Sequence, residues 1–220
     1  MVYSATQMPL KLAKSAFEKF ATQGFTNVNL DDIALHAGVT KGAIYCHYKS
    51  KHELIIASCM YYYRIYQEKV YEVISKTSDP MERLRKTLKL TIHNCVIDNK
   101  NRIFTTEIFA LSLQHNDIRA GWAQFYDTVR ELFIGLVTAA KHEGMLEIAD
   151  PRASVDMMLA ALEGIKLRAT FEPHISDPIE RQTLVMGLLK ILEYRENGVN
   201  TVQTENPSPE THISTGEQNG

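Results

Sequence analysis

The residues best suited to chemistry form a short basic and hydrogen-bonding cluster near the N-terminus. From Thr40 to His52 the chain carries three lysines, two histidines and two tyrosines, and no acidic residue. Side chains of these types bind phosphate oxygens and base edges, and phosphate contacts dominate affinity for nucleic acids. The whole chain has a net charge of -2, so its positive charge is local. This pattern predicts a nucleic-acid-binding surface confined to one segment.

Two short helices joined by a tight turn are predicted to position this cluster. An apolar helical stripe begins at Leu30, directly after Asn29, which is a typical N-cap residue. Gly38 follows where the chain must reverse and a positive φ is favoured. Thr40 can then cap a second helix that begins at Lys41. This spacing is typical of a helix-turn-helix, whose second helix approaches DNA.

A family resemblance lies in residues 30–54, which read LDDIALHAGVTKGAIYCHYKSKHEL. This segment resembles the DNA-binding signature of the TetR family of transcriptional repressors. Two positions depart from the commonest pattern, because Asn29-Leu30 stands where Thr is frequent and Cys46 where a second aromatic is common. The matching elements are Asp32-Ile33-Ala34, Ala37-Gly38-Val39-Thr40, Lys41-Gly42, Tyr45, His47, Lys51 and Leu54.

The resemblance implies a role in DNA binding for each matching polar position. Residues 40–43 are expected at the major groove, whereas Tyr45, His47 and Lys51 are expected against backbone phosphates. The predicted DNA-binding residues are Asn29, Thr40, Lys41, Gly42, Ala43, Tyr45, His47 and Lys51.

Cap residues and apolar periodicity divide the chain into nine predicted helices and no strand, which is an all-α fold. Three helices are assigned to a helix-turn-helix DNA-binding domain in residues 1–49. Six are assigned to a ligand-binding and dimerisation domain in residues 50–196, at about 50–75, 80–97, 102–113, 116–144, 151–171 and 178–195. Residues 197–220 have almost no large apolar side chain and are predicted to be a disordered tail.

The last two predicted helices carry more apolar surface than one buried face requires. One face is expected to pack on the helices of the same chain and the other on a second copy, since homo-oligomers are most often two-fold. The alternative is a hairpin fully buried inside a monomer. The predicted dimer-interface residues are Met157, Ala161, Gly164, Val185, Leu188, Leu189 and Leu192.

Aromatic and methionine residues of the larger region could line a pocket for an apolar effector of unknown identity. Ordinary core packing is the alternative for each of them. Two glutamates flanked by apolar residues could meet a cationic or hydroxylated ligand, unless they lie on solvated faces. The candidate ligand-binding residues are Tyr62, Phe104, Glu107, Phe109, Trp122, Phe125, Tyr126, Met158 and Glu163.

These patterns and the resemblance together predict a ligand-responsive transcriptional regulator. The expected protein is a homodimeric repressor, released from a palindromic operator on double-stranded DNA by a small, largely apolar molecule. A helical protein-interaction scaffold is one alternative, and an enzyme using the helical pocket is another. His52-Glu53 lacks the second histidine of an HExxH motif, because Ile56 stands there. No catalytic residue, metal site or cofactor is therefore predicted.

The cysteines and the hydropathy pattern bear on the cellular compartment. Cys46, Cys59 and Cys95 have no CxxC spacing, which predicts neither a disulfide framework nor a four-thiolate zinc site. The most apolar run, residues 132–140, is shorter than the roughly 20 residues that cross a bilayer. No hydrophobic signal segment is evident at the start of the sequence. A cytoplasmic location without a membrane partner is expected.

Overall fold

A computed structural model describes residues 7–192, which contain nine α-helices and no strand. The all-α prediction is confirmed, whereas the predicted disordered tail lies outside the described residues. The helices are α1 Gln7–Asn27, α2 Leu30–Ala37, α3 Lys41–Tyr45, α4 Lys51–Ser75, α5 Pro80–Ile92, α6 Asn99–Ser112, α7 Asn116–His142, α8 Pro151–Arg168 and α9 Arg181–Leu192.

Local hydrogen bonds determine the turn between α2 and α3. The Asn29 side chain accepts from the Asp32 N–H at 2.9 Å, and the Asp32 carboxylate accepts from the Asn29 N–H at 3.0 Å. Gly38 ends α2 with φ 62°, in the left-handed region that favours glycine. The Thr40 hydroxyl accepts from the Ala43 N–H at 3.3 Å and so caps α3. Each of these interactions lies within a few residues of the turn, so the sequence pattern predicts the turn well.

The long helix α4 begins with only half of a capping box. Ser50 Oγ accepts from the Glu53 N–H at 3.2 Å, as expected for an N-cap. In a complete capping box the Glu53 carboxylate would accept from the Ser50 N–H. Here it accepts from the Lys49 N–H at 2.7 Å. Glu53 therefore ties the first turn of α4 to the segment that follows α3.

Several helix ends differ from the prediction. The predicted helix 80–97 contains α5 and then a π-helical turn at His93–Ile97. The helix predicted from Arg102 begins earlier, because the Asp98 side chain caps α6. A 3-10 turn at Pro178–Glu180 precedes α9. These differences lie at helix ends, where side-chain caps and short turns compete with α-helical hydrogen bonds.

Two apolar clusters hold the helices together. One cluster joins α1, α2 and α3 to α4, α6 and the start of α7, and the other lies among α4, α5, α7, α8 and α9. The rings of Phe17 in α1 and Phe104 in α6 meet edge to face, with centroids 4.9 Å apart. The N-terminal helices thus share their core with α6, so apolar packing is continuous across residue 49, the predicted domain boundary.

Helix α9 packs its most apolar stripe into the chain's own core. Four residues predicted at a dimer interface are buried there, next to α5 and α8. The prediction that their side chains face a second copy is wrong, because the body needs this stripe to fill its own interior. These residues are Val185, Leu188, Leu189 and Leu192. Of the other predicted interface residues, Met157 and Gly164 are exposed, whereas Ala161 is partly buried and packs against this core.

Candidate nucleic-acid interface and ligand cavity

The predicted DNA-binding side chains lie mostly in solvent, on α3 and the segments beside it. Tyr45, at the end of α3, is 51% exposed although it is a large aromatic residue. Tyr48 faces the other way and donates a hydrogen bond from its hydroxyl to the Pro9 carbonyl at 3.0 Å, which holds this segment against α1. The exposed residues are Asn29, Thr40, Lys41, Gly42, Tyr45 and His47, whereas Ala43 and Lys51 are partly buried. We call these eight residues the α3 surface.

An ion pair on the α3 surface was not predicted from the sequence. Lys41 Nζ lies 2.8 Å from Asp31 Oδ2 of α2, and both side chains are about half exposed or more. The hydrogen bond from this ammonium group and the charge of Asp31 raise the pKa of Lys41. Exposed pairs of this kind contribute little stability. A DNA phosphate can therefore replace the carboxylate as the partner of Lys41 without a large cost to the fold.

Two residues of the α3 surface already have structural roles. The side-chain oxygens of Asn29 and Thr40 accept backbone N–H groups at the starts of α2 and α3. The resemblance implied DNA contacts for both residues. In the free protein their acceptor atoms orient the two helices, and any DNA contact comes in addition to this capping.

A small cavity of about 40 Å³ lies in the body between α4, α5, α7 and α8. We call it the inner cavity. Its volume is far below the roughly 300–1,000 Å³ of pockets that hold drug-sized ligands. Of the predicted ligand-binding residues, it is lined by Tyr62, Trp122, Phe125, Tyr126 and Glu163; Tyr66, Asn94 and Lys166 also line it.

Buried hydrogen bonds cross the wall of the inner cavity. Asn94, in the π-helical turn, donates to the Tyr62 hydroxyl at 2.7 Å and accepts from Asn101 Nδ2 at 2.9 Å. The Tyr66 hydroxyl lies 2.9 Å from Thr91 Oγ1. Burial raises the pKa of both tyrosines, so their hydroxyls stay protonated. The π-helical turn places Asn94 in this network, and such turns often occur at functional sites.

A larger pocket of about 370 Å³ lies between α6, α7 and α8, on the other side of a shared wall. We call it the outer pocket. The Thr106 hydroxyl there is buried and has no hydrogen-bond partner among residues 7–192. Such a hydroxyl is a ready partner for a bound polar group. The outer pocket is lined by Thr106, Phe109, Ser112, Arg119, Ala123 and Leu167, and it shares Trp122, Tyr126, Glu163 and Lys166 with the inner cavity.

A buried ion pair stands in the shared wall. Lys166 Nζ lies 2.6 Å from Glu163 Oε2, and the Lys166 side chain is only 1% exposed. The same ammonium lies 5.6 Å from the centre of the Trp122 ring, within cation-π range. Burial, followed by the charge of Glu163 and a hydrogen bond to it, raises the pKa of Tyr126. Glu163 is therefore not a free anion awaiting a cationic ligand, because Lys166 already balances its charge.

Three of the predicted ligand-binding residues lie outside both cavities. Phe104 is fully buried among the rings of Phe17, Phe25 and Tyr62, and Met158 is fully buried in the core of the body. Both predictions of ligand contact are wrong, because these side chains fill the core. The third is Glu107, which has a different partner.

Glu107 connects α6 to the N-terminal helices. Its carboxylate accepts a hydrogen bond from the Phe25 N–H, at the point where Gly24 interrupts α1 with φ 78°. A side chain at Gly24 would collide with this carboxylate. Glu107 therefore satisfies a backbone donor at the break in α1 and does not line a pocket.

An exposed helix-turn-helix that shares its core with a helical body containing a cavity defines a DNA-binding regulatory protein. Residues 12–57 match the family model described as bacterial regulatory proteins, tetR family. Residues 12–57 are therefore a DNA-binding segment of the TetR family of transcriptional regulators. Among residues 7–192, no helix is long and apolar enough to cross a membrane.

Curated transcriptional regulators match parts of this chain. The HTH-type transcriptional regulator YerO of Bacillus subtilis (strain 168) is 31% identical over 80 residues, which are 36% of this chain but only 28% of that protein. The HTH-type transcriptional repressor BepR of Brucella suis biovar 1 (strain 1330) is 25% identical over 159 residues, or 68% of this chain and 74% of that protein.

The fold is also found in solved structures. A transcriptional regulator from Saccharomonospora viridis, crystallised in complex with choline, superposes with a TM-score of 0.75 at 15% identity. The superposition covers 86% of this chain and 97% of that one. At this identity the likeness shows the shared fold.

Proposed function

We propose that this protein is a ligand-responsive repressor. It binds a palindromic operator as a homodimer and leaves it when a small, largely apolar molecule occupies the outer pocket. The observation that carries this proposal is that α6 lines the outer pocket and also packs against α1, which in turn packs against the helix-turn-helix. Support for repression comes from the similarity to BepR, a transcriptional repressor.

Helix α6 connects the outer pocket to the α3 surface. Thr106 and Phe109 line the pocket, while Phe104 and Glu107 on the same helix contact α1. A ligand that separates α6 from α7 and α8 must displace these contacts. Packed helices respond by shifting as units, so α1 and the helix-turn-helix packed on it move with α6. Helix α4 provides a second connection, because it begins beside the α3 surface and lines the inner cavity with Tyr62.

The walls of the outer pocket favour an uncharged or weakly acidic effector. Phe109, Trp122 and Leu167 offer apolar surface, and the Thr106 hydroxyl offers a hydrogen bond. The S. viridis neighbour was solved with choline, which is a cation. In this chain Lys166 already occupies the cation-π position on Trp122, so a bound cation would meet like charge there. A carboxylate or carbonyl would instead gain a partner.

Filling the outer pocket should abolish the response to the effector. Screening apolar and weakly acidic compounds by thermal shift and by operator release identifies the effector. We expect Ala123→Trp to weaken its binding at least tenfold and leave operator binding unchanged, because Ala123 lines the pocket far from the α3 surface. Ala139→Trp, also exposed on α7 but not lining the pocket, is the control.

The coupling between the two sites must be reciprocal. An effector that lowers operator affinity tenfold must bind the DNA complex about tenfold more weakly, a coupling of roughly 1.4 kcal/mol. Calorimetric titration of the protein with and without operator measures this difference. If compounds that stabilise the protein leave operator binding unchanged, the body is better interpreted as a protein-interaction or purely dimerising region.

The proposed dimer interface is the outward face of α8 and α9. Met157 is 62% exposed, although it is a large apolar residue. A Cβ added at Gly164 or Gly187 would meet no atom within 4 Å. Small residues let facing helices approach closely. We propose that α8 and α9 of two copies pack through this face, so that two α3 surfaces can meet successive half-sites of a palindrome.

Charge on this face should produce monomers. We expect Gly164→Arg and Gly187→Arg each to dissociate the dimer, because two-fold symmetry places the new charge in the interface twice and each buried unpaired charge costs several kcal/mol. Gly135→Arg, at an equally open and exposed position of α7, should remain dimeric. Sedimentation velocity at micromolar concentration measures the assembly. A monomeric wild type would contradict the proposed interface.

A further inference from the structure

A cluster of side chains at the junction of α4 and α7 has no part in the function proposed above. It consists of His52 in the first turn of α4, His115 at the N-cap of α7 and Asp117 in the first turn of α7. Their ligand atoms all lie within 4.8 Å of one another. We propose that these three residues bind one divalent transition-metal ion, with Zn²⁺ as the best match.

The geometry needs only small adjustments to hold such an ion. His52 Nε2 lies 2.7 Å from Asp117 Oδ2, and the rings of His52 and His115 have centroids 4.9 Å apart. Bonds of about 2.0–2.1 Å in a tetrahedral zinc site place ligand atoms roughly 3.3 Å from one another. Shifts of about 1 Å in these side chains would therefore place their three ligand atoms at three corners of a tetrahedron around one ion. The fourth corner is left for water.

Backbone hydrogen bonds already orient the Asp117 carboxylate and fix the main chain at His115. Asp117 Oδ1 accepts from the Ile118 N–H at 2.9 Å, which directs Oδ2 towards His52. The His115 N–H donates to the Leu111 carbonyl at 3.0 Å, and its carbonyl accepts from the Arg119 N–H at 3.0 Å. Such outer contacts hold ligands in place in natural metal sites. The ligands are thus arranged in advance, although they come from distant parts of the sequence.

The ligand types select the class of ion. Two imidazoles and one carboxylate suit Zn²⁺ and its neighbours, whereas Ca²⁺ and Mg²⁺ prefer oxygen ligands alone. The side chains of His52 and Asp117 are 35% and 55% exposed, so an ion can reach them from solvent. Among residues 7–192, no other group of three such side chains lies close enough together.

An ion at this site would tie the DNA-facing end of α4 to the body. His52 directly follows Lys51, a member of the α3 surface. Fixing His52 to α7 therefore restricts the motion by which a ligand signal reaches DNA. This consequence rests on the proposed function, whereas the metal site itself does not.

Titration of the untagged, chelator-treated full chain with Zn²⁺ tests the site without any DNA. We expect His115→Ala and Asp117→Asn each to lower the affinity of this site at least tenfold, because even contacts outside the ligand set cost 10–100-fold. Asp117→Asn keeps the size of the side chain, and metal-free thermal melts show whether the fold is kept. His142→Ala removes an 87% exposed histidine near the other end of α7 and should bind Zn²⁺ like the wild type.

Two results would overturn the proposal. The first is Zn²⁺ binding that is unchanged in both variants or absent from the wild type at micromolar concentration. The second is loss of binding in Cys46→Ser, which would assign the ion to the exposed Cys46 thiol. Co²⁺ substitution gives an independent readout, since its visible spectrum distinguishes a tetrahedral site. Operator binding is measured separately, so failure of the repressor proposal leaves this test intact.

Discussion

A variant carrying Lys41→Ala, Tyr45→Ala and His47→Ala is expected to lose at least about 100-fold in operator affinity. All three side chains are exposed on the α3 surface, so their removal leaves the core unchanged. Hydrogen bonds to charged groups contribute about 1.5–3 kcal/mol each, and every 1.4 kcal/mol is a factor of ten. Three lost contacts to phosphates and base edges therefore exceed two factors of ten.

Fluorescence anisotropy with a labelled operator over a series of salt concentrations measures this loss. The slope of log affinity against log salt should also become shallower, by about 0.9 for each phosphate that a removed cationic side chain neutralised. The matched control carries Lys89→Ala, Tyr71→Ala and His142→Ala, which are the same residue types exposed on the body. Equal operator affinity in the two triple variants would contradict the repressor proposal.

Glu163→Gln should destabilise the protein by about 3–5 kcal/mol, because it leaves the buried Lys166 ammonium without a negatively charged partner. This is a large part of the roughly 5–15 kcal/mol by which domains are stable. The double variant Glu163→Gln/Lys166→Met should recover most of the loss. The double variant carries no charge at either position, so no unpaired buried charge remains in the fold.

Urea unfolding of the three proteins measures these free energies. The control is Glu131→Gln, which breaks an exposed pair with Arg152 that has the same 2.6 Å distance. Its free energy of unfolding should change by no more than about 1 kcal/mol, because solvent screens exposed pairs. If Glu131→Gln and Glu163→Gln lowered the free energy of unfolding by similar amounts, burial of Lys166 would not be the cause of the destabilisation.

Several helix starts were predictable because they depend on neighbours in the sequence. Asp79 and Asp150 cap α5 and α8, each followed by proline at the first helical position. Asn29 and Gly38 delimit α2. In each case the cap and the backbone group that it satisfies are within a few residues. The π-helical turn after α5 was missed, because no comparably short signal marks it.

The division of apolar residues between core and surface was predicted less well. Sequence patterns show that α9 is apolar on more than one side, but not which side the body covers. The structure buries Leu188 and leaves Gly187 open. The sequence also does not distinguish Phe104 from Phe109, since both are aromatic residues of α6. The structure buries Phe104 in the core between α1 and α6.

The sequence by itself determined the helix-turn-helix, its capping residues and the all-helical class, because hydrogen bonds and periodicities over a few residues are enough for these. Tertiary structure alone decided the partners of Glu107 and Asp117. The Glu107 carboxylate accepts from the Phe25 N–H, which is 82 positions away in the sequence. The Asp117 carboxylate pairs with the imidazole of His52, at a separation of 65 positions. Such contacts depend on how whole helices pack, and packing reflects the shape of the entire core.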